Sequence, residues 1–206
     1  MTLQGIKRMT KQGGTPVILA MLALVAFGCG GGNDSGGGTI SSGLTADFVA
    51  SDSTPDPQSI TMQQALESGS VFHVAIRVTD VQDFFGAAFH VTYDTTKVHF
   101  DLLDSSTSFL RDGGIDPNDL DFTYLAQSGN IAITATRKQN QTGTVTGIDV
   151  PATGRDLLVL DFHAVATTLS ASSGISFADP REVCDSTQPV CTPITVTWAG
   201  GSVVVH

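Results

Sequence analysis

The chain has 206 residues, enough for one domain preceded by a leader, and its formal net charge is −10. All 20 acidic residues but only seven of the 10 basic residues lie beyond residue 28, so that part of the chain carries a charge of about −13. A phosphate backbone is bound by a cationic patch, and this charge balance therefore argues against a nucleic-acid partner.

The beginning of the chain has the features of an export signal. Lys7, Arg8 and Lys11 are followed by an apolar run from Val17 to Phe27. This run is too short to span a bilayer as a lone helix, but it matches the apolar part of a signal peptide. We predict a signal peptide over residues 1–28, a flexible Gly/Ser-rich tether over 29–43 and a folded domain over 44–206.

Cys29 is the odd one of three cysteines and directly follows Ala26-Phe27-Gly28. This site resembles the lipobox of bacterial lipoproteins, where the new N-terminal cysteine is acylated. The resemblance implies lipidation of Cys29 and a lipid anchor in the cell envelope. Gly30 replaces the Asp that often retains lipoproteins in the inner membrane, which favours the outer membrane or cell surface. Ordinary secretion with a free thiol, or an uncleaved anchor, are the alternatives.

Three consecutive strands are predicted between Ser70 and Leu103, because apolar residues there alternate with period two. The expected inward residues are Phe72, Val74, Ile76 and Val78 in Val71–Val81, then Ala87, Phe89, Val91 and Tyr93 in Gly86–Tyr93, then Val98, Phe100 and Leu102.

Further short strands are expected on both sides of this stretch. They are Leu44–Ala50, Ile60–Leu66 (with a turn at Ala65–Gly69), Phe122–Ala126, Asn130–Thr136, Thr144–Val150, Asp156–Thr167, Gly174–Phe177 and Ile194–Val205. Ser128-Gly129 is typical of a hairpin turn. Asp104–Asp121 is expected as a polar insert and Lys138–Gly143 as a turn. About nine strands without a convincing helical period predict an all-β, antiparallel β-sandwich.

From about Leu44 onward the chain resembles a cohesin domain, the jelly-roll module of cellulosome scaffoldins. The residues that carry the resemblance are Val78, Asp80 and Val81, then Gly86, Phe89, Tyr93 and Asp94, then Gly129 to Thr134, and finally Gly154, Leu157, Leu160, Phe162 and Ala164. The resemblance implies jelly-roll topology and a non-catalytic module that binds another protein, such as a dockerin.

The resemblance also implies a binding face on the strand that ends in Tyr93-Asp94. Its outward positions are Gly86, Ala88, His90 and Thr92, and Tyr124 is an aromatic residue whose side of the sheet the pattern leaves open. Familiar cohesins carry polar side chains where this chain has Gly86 and Ala88, which offer no side-chain hydrogen bond.

Two other clusters are candidate sites. Cys184 and Cys191 are expected to form a disulfide in an exported protein, since a zinc site would need further ligands that the spacing does not supply. Four carboxylates in one loop are a calcium candidate, although they do not follow an EF-hand pattern and a solvated turn region is the favoured interpretation. They are Asp112, Asp116, Asp119 and Asp121.

The remaining polar residues give little indication of catalysis. His73, His90 and His99 fall on outward strand positions, which leaves a surface metal site as the alternative to solvated histidines. Asp94 is expected to accept hydrogen bonds in a turn. The sequence contains no G-x-S-x-G or H-E-x-x-H motif, and no phosphate-binding glycine loop. We therefore expect neither an enzyme nor a cofactor.

The sequence leaves three functions open. The first is an envelope-tethered lipoprotein that binds another protein, either dockerin-like or an envelope component. The second is a carbohydrate-binding module for polysaccharide, which would stack sugars on exposed aromatic rings. The third is a structural envelope protein. Since Trp198 and Tyr93 share their faces with apolar residues, both are expected in the core, which leaves few aromatic rings for sugar.

Overall fold

The computed structural model describes residues 43–139, 145–165, 171–187 and 191–206. The predicted signal peptide, Cys29, nearly all of the tether, and most of the turn predicted at Lys138–Gly143 lie outside these ranges. Among the residues described, no helix is long and apolar enough to cross a membrane.

Thirteen strands and two short 3₁₀ helices make up the described domain. The strands are β1 (Ala46–Ala50), β2 (Ser59–Ser68), β3 (Val71–Thr79), β4 (Val81–Phe84), β5 (Gly86–Tyr93), β6 (Val98–Asp104), β7 (Leu120–Gln127), β8 (Asn130–Arg137), β9 (Ile148–Val150), β10 (Arg155–Ala164), β11 (Ala171–Cys184), β12 (Thr197–Ala199) and β13 (Gly201–Val205). The 3₁₀ helices are Phe109–Gly114 and Pro117–Asp119.

The strands form two large sheets and one small one. The six-stranded sheet has the order β1-β13-β11-β5-β8-β7, the five-stranded sheet has the order β12-β2-β3-β10-β6, and β4 pairs with β9. All of these pairings are antiparallel except β12 with β2, which is parallel. The fold is thus the predicted all-β sandwich with jelly-roll topology. It has more strands than the nine expected, because several have only three to five residues.

The core lies between the inner faces of the two large sheets. Alternation along β3 and β5 buries the predicted apolar residues on this side. Aromatic rings connect the sheets: Tyr93 of β5 meets Phe162 of β10 at 5.5 Å, and Phe89 of β5 meets Trp198 of β12 at 5.7 Å. Ring pairs of this geometry add to the free energy gained by burying their area.

A β-bulge in β6 makes the prediction for Leu102 wrong. Phe162 of β10 pairs with Phe100, but the preceding Asp161 pairs with Leu102, so Asp101 is an extra residue on β6. The extra residue reverses the alternation, because side chains change face with every residue. Leu102 is therefore 44% exposed, while Leu103 packs against the core.

Other predicted boundaries also move. β2 continues to Ser68 through a bulge, and the turn falls at Gly69 (φ 63°), so the turn predicted at Ala65–Gly69 begins too early. β3 ends at Thr79, and Asp80 at φ 52° leads into β4. The Ser128-Gly129 hairpin is confirmed, with both residues at positive φ.

The insert predicted as polar contributes to the core. Phe109 and Leu110 of the first 3₁₀ helix are fully buried, and the Phe109 ring meets Phe84 of β4 edge-on at 5.3 Å. Two apolar residues among Ser, Asp and Gly are too few to show a strand or helix period. The sequence pattern therefore did not predict their burial. The insert therefore covers one part of the sandwich core.

Candidate binding face

The outer face of the six-stranded sheet carries the predicted binding positions. β5 pairs with β8 and β8 with β7 without a bulge, so directly opposite residues share a face. One such row is Ala88, Thr134 and Thr123, and the next is His90, Ala132 and Leu125. We call these six residues the outer face. They alternate with the buried Phe89 and Ile133, which point into the sandwich.

Small side chains make this face shallow and partly apolar. Ala88, Ala132 and Thr134 line a depression of about 340 Å³ that Pro180 of β11 borders on one side. Leu125 borders it on the edge strand β7 and is 60% exposed. An exposed leucine beside a row of alanine and threonine gives a surface that a partner can approach closely.

Gly86, one of the predicted positions, is buried and does not belong to the outer face. A Cβ atom at Gly86 would lie 2.5 Å from Cβ of Thr136, the residue opposite on β8. The Thr136 side chain therefore fills the space that a residue at position 86 would need to reach a partner. The interpretation of Gly86 as a contact position is wrong for this reason.

Tyr124 lies on the other side of β7. It pairs with Ile133, which is buried, so its ring points towards the interior at the open edge of the sandwich. The ring meets Phe100 of β6 edge-on at 5.5 Å and remains 48% exposed. Tyr124 therefore borders the edge between the two sheets and does not provide a flat platform on the outer face.

His90 and Thr92 are half-buried and take part in hydrogen bonds within the sheet. The Nδ2 group of Asn130 lies 3.2 Å from Nδ1 of His90, and the Thr92 hydroxyl donates to the carbonyl of Ser176 at 3.3 Å. Oδ1 of Asn130 is buried, without a hydrogen-bond partner among the residues described. The end of the sheet surface at His90, Thr92 and Asn130 is therefore more polar than the end at Ala88.

Comparison with known proteins agrees with this architecture. No family model matches the sequence, and no curated protein matches it. The sixth cohesin of scaffoldin B from Acetivibrio cellulolyticus, solved in complex with a Cel5 dockerin, has a TM-score of 0.50 and 18% identity over 77% of this chain and 94% of its own. The domain has a cohesin-like fold.

A second solved protein, CaCohA2 from Clostridium acetobutylicum, supports the same assignment. Its solution structure gives a TM-score of 0.50 with 16% identity over 77% of this chain and 88% of its own. In complex with a CaDoc0917 variant, CaCohA2 gives a TM-score of 0.51 with 16% identity over 77% of this chain and 97% of its own.

The two cysteines of the cohesin-like domain lie beside one end of the outer face. Cys184 and Cys191, with Gly86 and Thr136, line a second depression of about 160 Å³. Both thiols are half-buried and unlinked in the structure. Burial raises the pKa of Cys184 to about 12, and a hydrogen bond with the Cys191 thiol acts in the same direction. The two thiols are thus close together, and their disulfide stays a prediction.

The four aspartates of the calcium candidate have separate roles. Asp112 forms an ion pair with Arg155, and Asp116 accepts a hydrogen bond from the backbone N–H of Asn118 at 2.9 Å. Asp112, Asp116 and Asp119 line one depression that also contains the buried guanidinium of Arg137, and Asp121 of β7 pairs with Thr136 of β8. In the described part of the chain, no three of these carboxylates come within 4.8 Å of one another. A nearby buried cation also disfavours a second one.

The histidines do not group as the sequence indicated. His90 lies on the six-stranded sheet, whereas His73 and His99 lie on the five-stranded sheet, where His73 pairs with Asp161. His99 instead faces His163 of β10, and their rings stack at 4.9 Å. This pair was not predicted, because nothing in the sequence sets the register between β6 and β10.

The aromatic residues expected in the core are half-buried there. Tyr93 packs against Phe162, and Trp198 packs edge-on against Phe177 at 4.9 Å. Burial raises the pKa of Tyr93 above its ordinary value, against hydrogen bonds with the backbone of Phe100 and Gly129. Neither ring therefore offers a broad exposed platform.

Proposed function

We propose that this chain is a non-catalytic, envelope-tethered lipoprotein whose cohesin-like domain binds another protein through the outer face. The observation that carries the proposal is the shallow row of small residues along β5 and β8 with the exposed Leu125 beside it. The similar cohesin of scaffoldin B was solved in complex with a dockerin, which supports a protein partner of that kind.

The chemistry of the outer face suits a protein partner. Charged residues are depleted at the centre of protein–protein interfaces, and apolar contacts there are surrounded by polar groups. At the centre of the outer face the side chains are those of Ala88, Ala132 and Thr134, all uncharged. The hydroxyl of Thr123 and the imidazole of His90 supply hydrogen-bonding groups around them.

The outer face is smaller than a standard protein–protein interface. Its three strands, β5, β8 and β7, have eight residues each and cover roughly 14 by 26 Å, or about 370 Å². A standard interface buries about 800 Å² on each partner. We therefore expect the loops at the ends of β5, β7 and β8 to contribute to the contact.

The carbohydrate alternative has less support. Sugar rings stack on broad, exposed aromatic faces. Trp198 and Tyr93 pack against other aromatic rings, and Tyr124 packs edge-on against Phe100 at the edge of the sandwich. One partly exposed tyrosine is a small platform for a polysaccharide chain.

The tether extends the proposal to the location of the protein. Acylation at Cys29 would hold the domain on a flexible Gly/Ser-rich segment, which raises the local concentration of any bound partner at the envelope. Expression in a bacterium that processes lipoproteins, followed by detergent phase partition, tests this anchor. We expect the native chain in the detergent phase and Cys29→Ser in the aqueous phase. Equal partition of the two chains would contradict lipidation.

A capture experiment tests the proposed partner class. The folded region, expressed from Thr39 to His206, would be immobilised and exposed to envelope and secreted extract from the source organism. Its core residues all lie between Ala46 and Val205, so this piece retains the complete sandwich. Insoluble polysaccharides would be tested in parallel with the same protein.

The proposal predicts one protein that is retained at moderate salt and released by excess soluble domain. Retention on polysaccharide without a protein partner, lost in Tyr124→Ala, would move the assignment to carbohydrate binding. Failure to retain either class would contradict both binding functions and favour a structural role.

A further inference from the structure

A cluster of three side chains on the opposite side of the molecule has the composition of a metal site. His99 of β6 and His163 of β10 are paired directly across the two strands. Directly opposite residues in an antiparallel pair have adjacent side chains, and the two imidazole rings stack with centroids 4.9 Å apart and planes 29° apart. Both side chains lie on the solvent-facing side of the five-stranded sheet.

The β6 bulge places a carboxylate beside the Nδ1 atoms of both rings. Asp101 is the extra residue of the bulge and lies two positions after His99. Its two carboxylate oxygens are each 2.8 Å from Nδ1 of His163, and Oδ1 is 3.3 Å from Nδ1 of His99. One donor atom from each of the three residues lies within 4.8 Å of the other two.

These separations match those between ligands of one metal ion. Zinc lies about 2.0–2.1 Å from imidazole nitrogen and 2.0–2.2 Å from carboxylate oxygen. At octahedral or tetrahedral angles, two such donors are about 2.8–3.6 Å apart. The distances from Asp101 to the two Nδ1 atoms are close to this range. A cation among the three atoms would replace their present hydrogen bonds with coordination bonds.

We propose that His99, Asp101 and His163 bind a divalent transition-metal ion of the zinc class at the surface of the five-stranded sheet. Two imidazoles and one carboxylate favour zinc, copper or nickel over calcium, which takes six to eight oxygen ligands. Three protein ligands leave at least one coordination position for water or for a donor from another molecule.

The surroundings favour a cation at this position. Asp161 lies two residues before His163 on the same side of β10, so this side of the sheet carries a second carboxylate, which is paired with Nδ1 of His73. The net charge of the whole chain is −10. Because β6 is the edge strand of its sheet, the ion would also link that edge to β10.

Titration calorimetry of the full-length chain in detergent, with zinc chloride and alkylated cysteine thiols, tests this site. We expect one zinc ion per chain, and affinity reduced roughly tenfold or more in His163→Gln and in Asp101→Asn. His90→Gln is the matched control, because His90 lies on the other sheet, and it should bind like the wild type. Metal-free unfolding curves of each variant would establish that it folds.

Cobalt provides a second measurement on the same proteins. We expect visible d–d absorption from a site with nitrogen and oxygen ligands in the wild type and in His90→Gln, and its loss in His163→Gln. No zinc binding by the wild type, or equal zinc affinity in folded wild type and His163→Gln, would overturn the proposal. The three residues would then be a hydrogen-bonded surface cluster only.

Discussion

At the scale of single residues, Gly86 determines which part of the six-stranded sheet a partner can reach. Position 86 faces outward on β5, yet it is buried because Thr136 of β8 lies against it. Glycine is required there by close approach and not by backbone conformation, since its φ is not positive. The small residue moves the accessible part of the face towards Ala88 and Thr134.

Gly86→Ala tests this packing. The new Cβ would come within 3.0 Å of the Thr136 backbone, which cannot move away as a flexible side chain can. We expect a loss of about 1–3 kcal/mol in the free energy of unfolding, measured by urea denaturation. Gly174→Ala is the control, because its nearest atom is Oγ of Ser176 at 3.7 Å, and it should change stability little. Equal stability of the two variants would contradict the close packing of Gly86 against Thr136.

At the scale of elements, Arg137 holds the buried insert against the sandwich. Its side chain lies at the end of β8, and the residue is only 5% exposed. Nε and Nη2 donate to the carbonyl of Leu110 at 3.0 and 2.9 Å, Nη2 donates to the carbonyl of Asp112 at 2.6 Å, and Nη1 donates to the carbonyl of Thr146 at 2.9 Å. Burial lowers the pKa of Arg137, and the charge of Asp112 partly opposes this shift.

Arg137→Met should therefore destabilise the domain strongly. The methionine fills part of the space, but it leaves the carbonyls of Leu110 and Asp112 without their donor. We expect a cost of about 3 kcal/mol in the free energy of unfolding by urea denaturation. Arg181→Met is the control, since Arg181 pairs with the exposed Asp179 and its guanidinium carbon lies over the Trp198 ring, 5.8 Å from the centroid, and the change should cost about 1 kcal/mol or less. A loss for Arg137→Met no larger than the control's would contradict the assigned role.

Strand elements were predictable where the alternation is unbroken, and were not where a bulge interrupts it. β3, β5 and the β7–β8 hairpin follow directly from period-two patterns and the Ser128-Gly129 turn. β11 was predicted as Gly174–Phe177 but runs from Ala171 to Cys184, because its pairing with β5 resumes at Glu182 after an irregular stretch. A proline at position 180 reads as a strand end in the sequence.

The candidate site was predictable in part for the same reason. Ala88, His90 and Thr92 follow from the alternation of β5. The contributions of Ala132, Thr134 and Leu125 depend on which strands are neighbours, and the pairing of His99 with His163 depends on the register between two distant strands. Pairing between distant segments is set by the packed sandwich, and a single sequence does not show it.

At the scale of the whole molecule, three turns make stability depend on pH. Hydrogen bonds lower the pKa of three carboxyls below their ordinary value: the hydroxyl and backbone N–H of Thr96 act on Asp94, the N–H of Ser106 on Asp104, and the N–H of Thr192 on Asp185. A carboxyl with a lower pKa in the folded state stabilises the fold above the unfolded value, about 3.9, and loses this effect as pH falls through the folded value.

We therefore expect the urea midpoint to be steady between pH 7 and pH 5 and to fall below about pH 4. Asp94→Ala should lower the midpoint at pH 7 and reduce the further drop on acidification, because one of the three contributions is absent. Urea curves at pH 7, 5 and 3 measure both effects. A drop between pH 5 and pH 3 in Asp94→Ala as large as that of the wild type would show that the Asp94 turn does not contribute.

The two large sheets have opposite solvent-facing surfaces with different chemistry, so the same substitution can be compared on each surface. Leu125 is exposed on the six-stranded sheet, and Leu102 is exposed on the five-stranded sheet. Arginine at either position changes charge and size in the same way without disturbing a buried side chain. Only Leu125 borders the proposed binding face.

The most direct test of the proposed binding face is the affinity of the captured partner for Leu125→Arg and Leu102→Arg, measured by calorimetry beside the wild-type domain. We predict that Leu125→Arg weakens binding at least tenfold, because a charge would enter an apolar part of the interface. Leu102→Arg should bind like the wild type. Unchanged affinity for Leu125→Arg together with a loss for Leu102→Arg would contradict the assignment of the binding face.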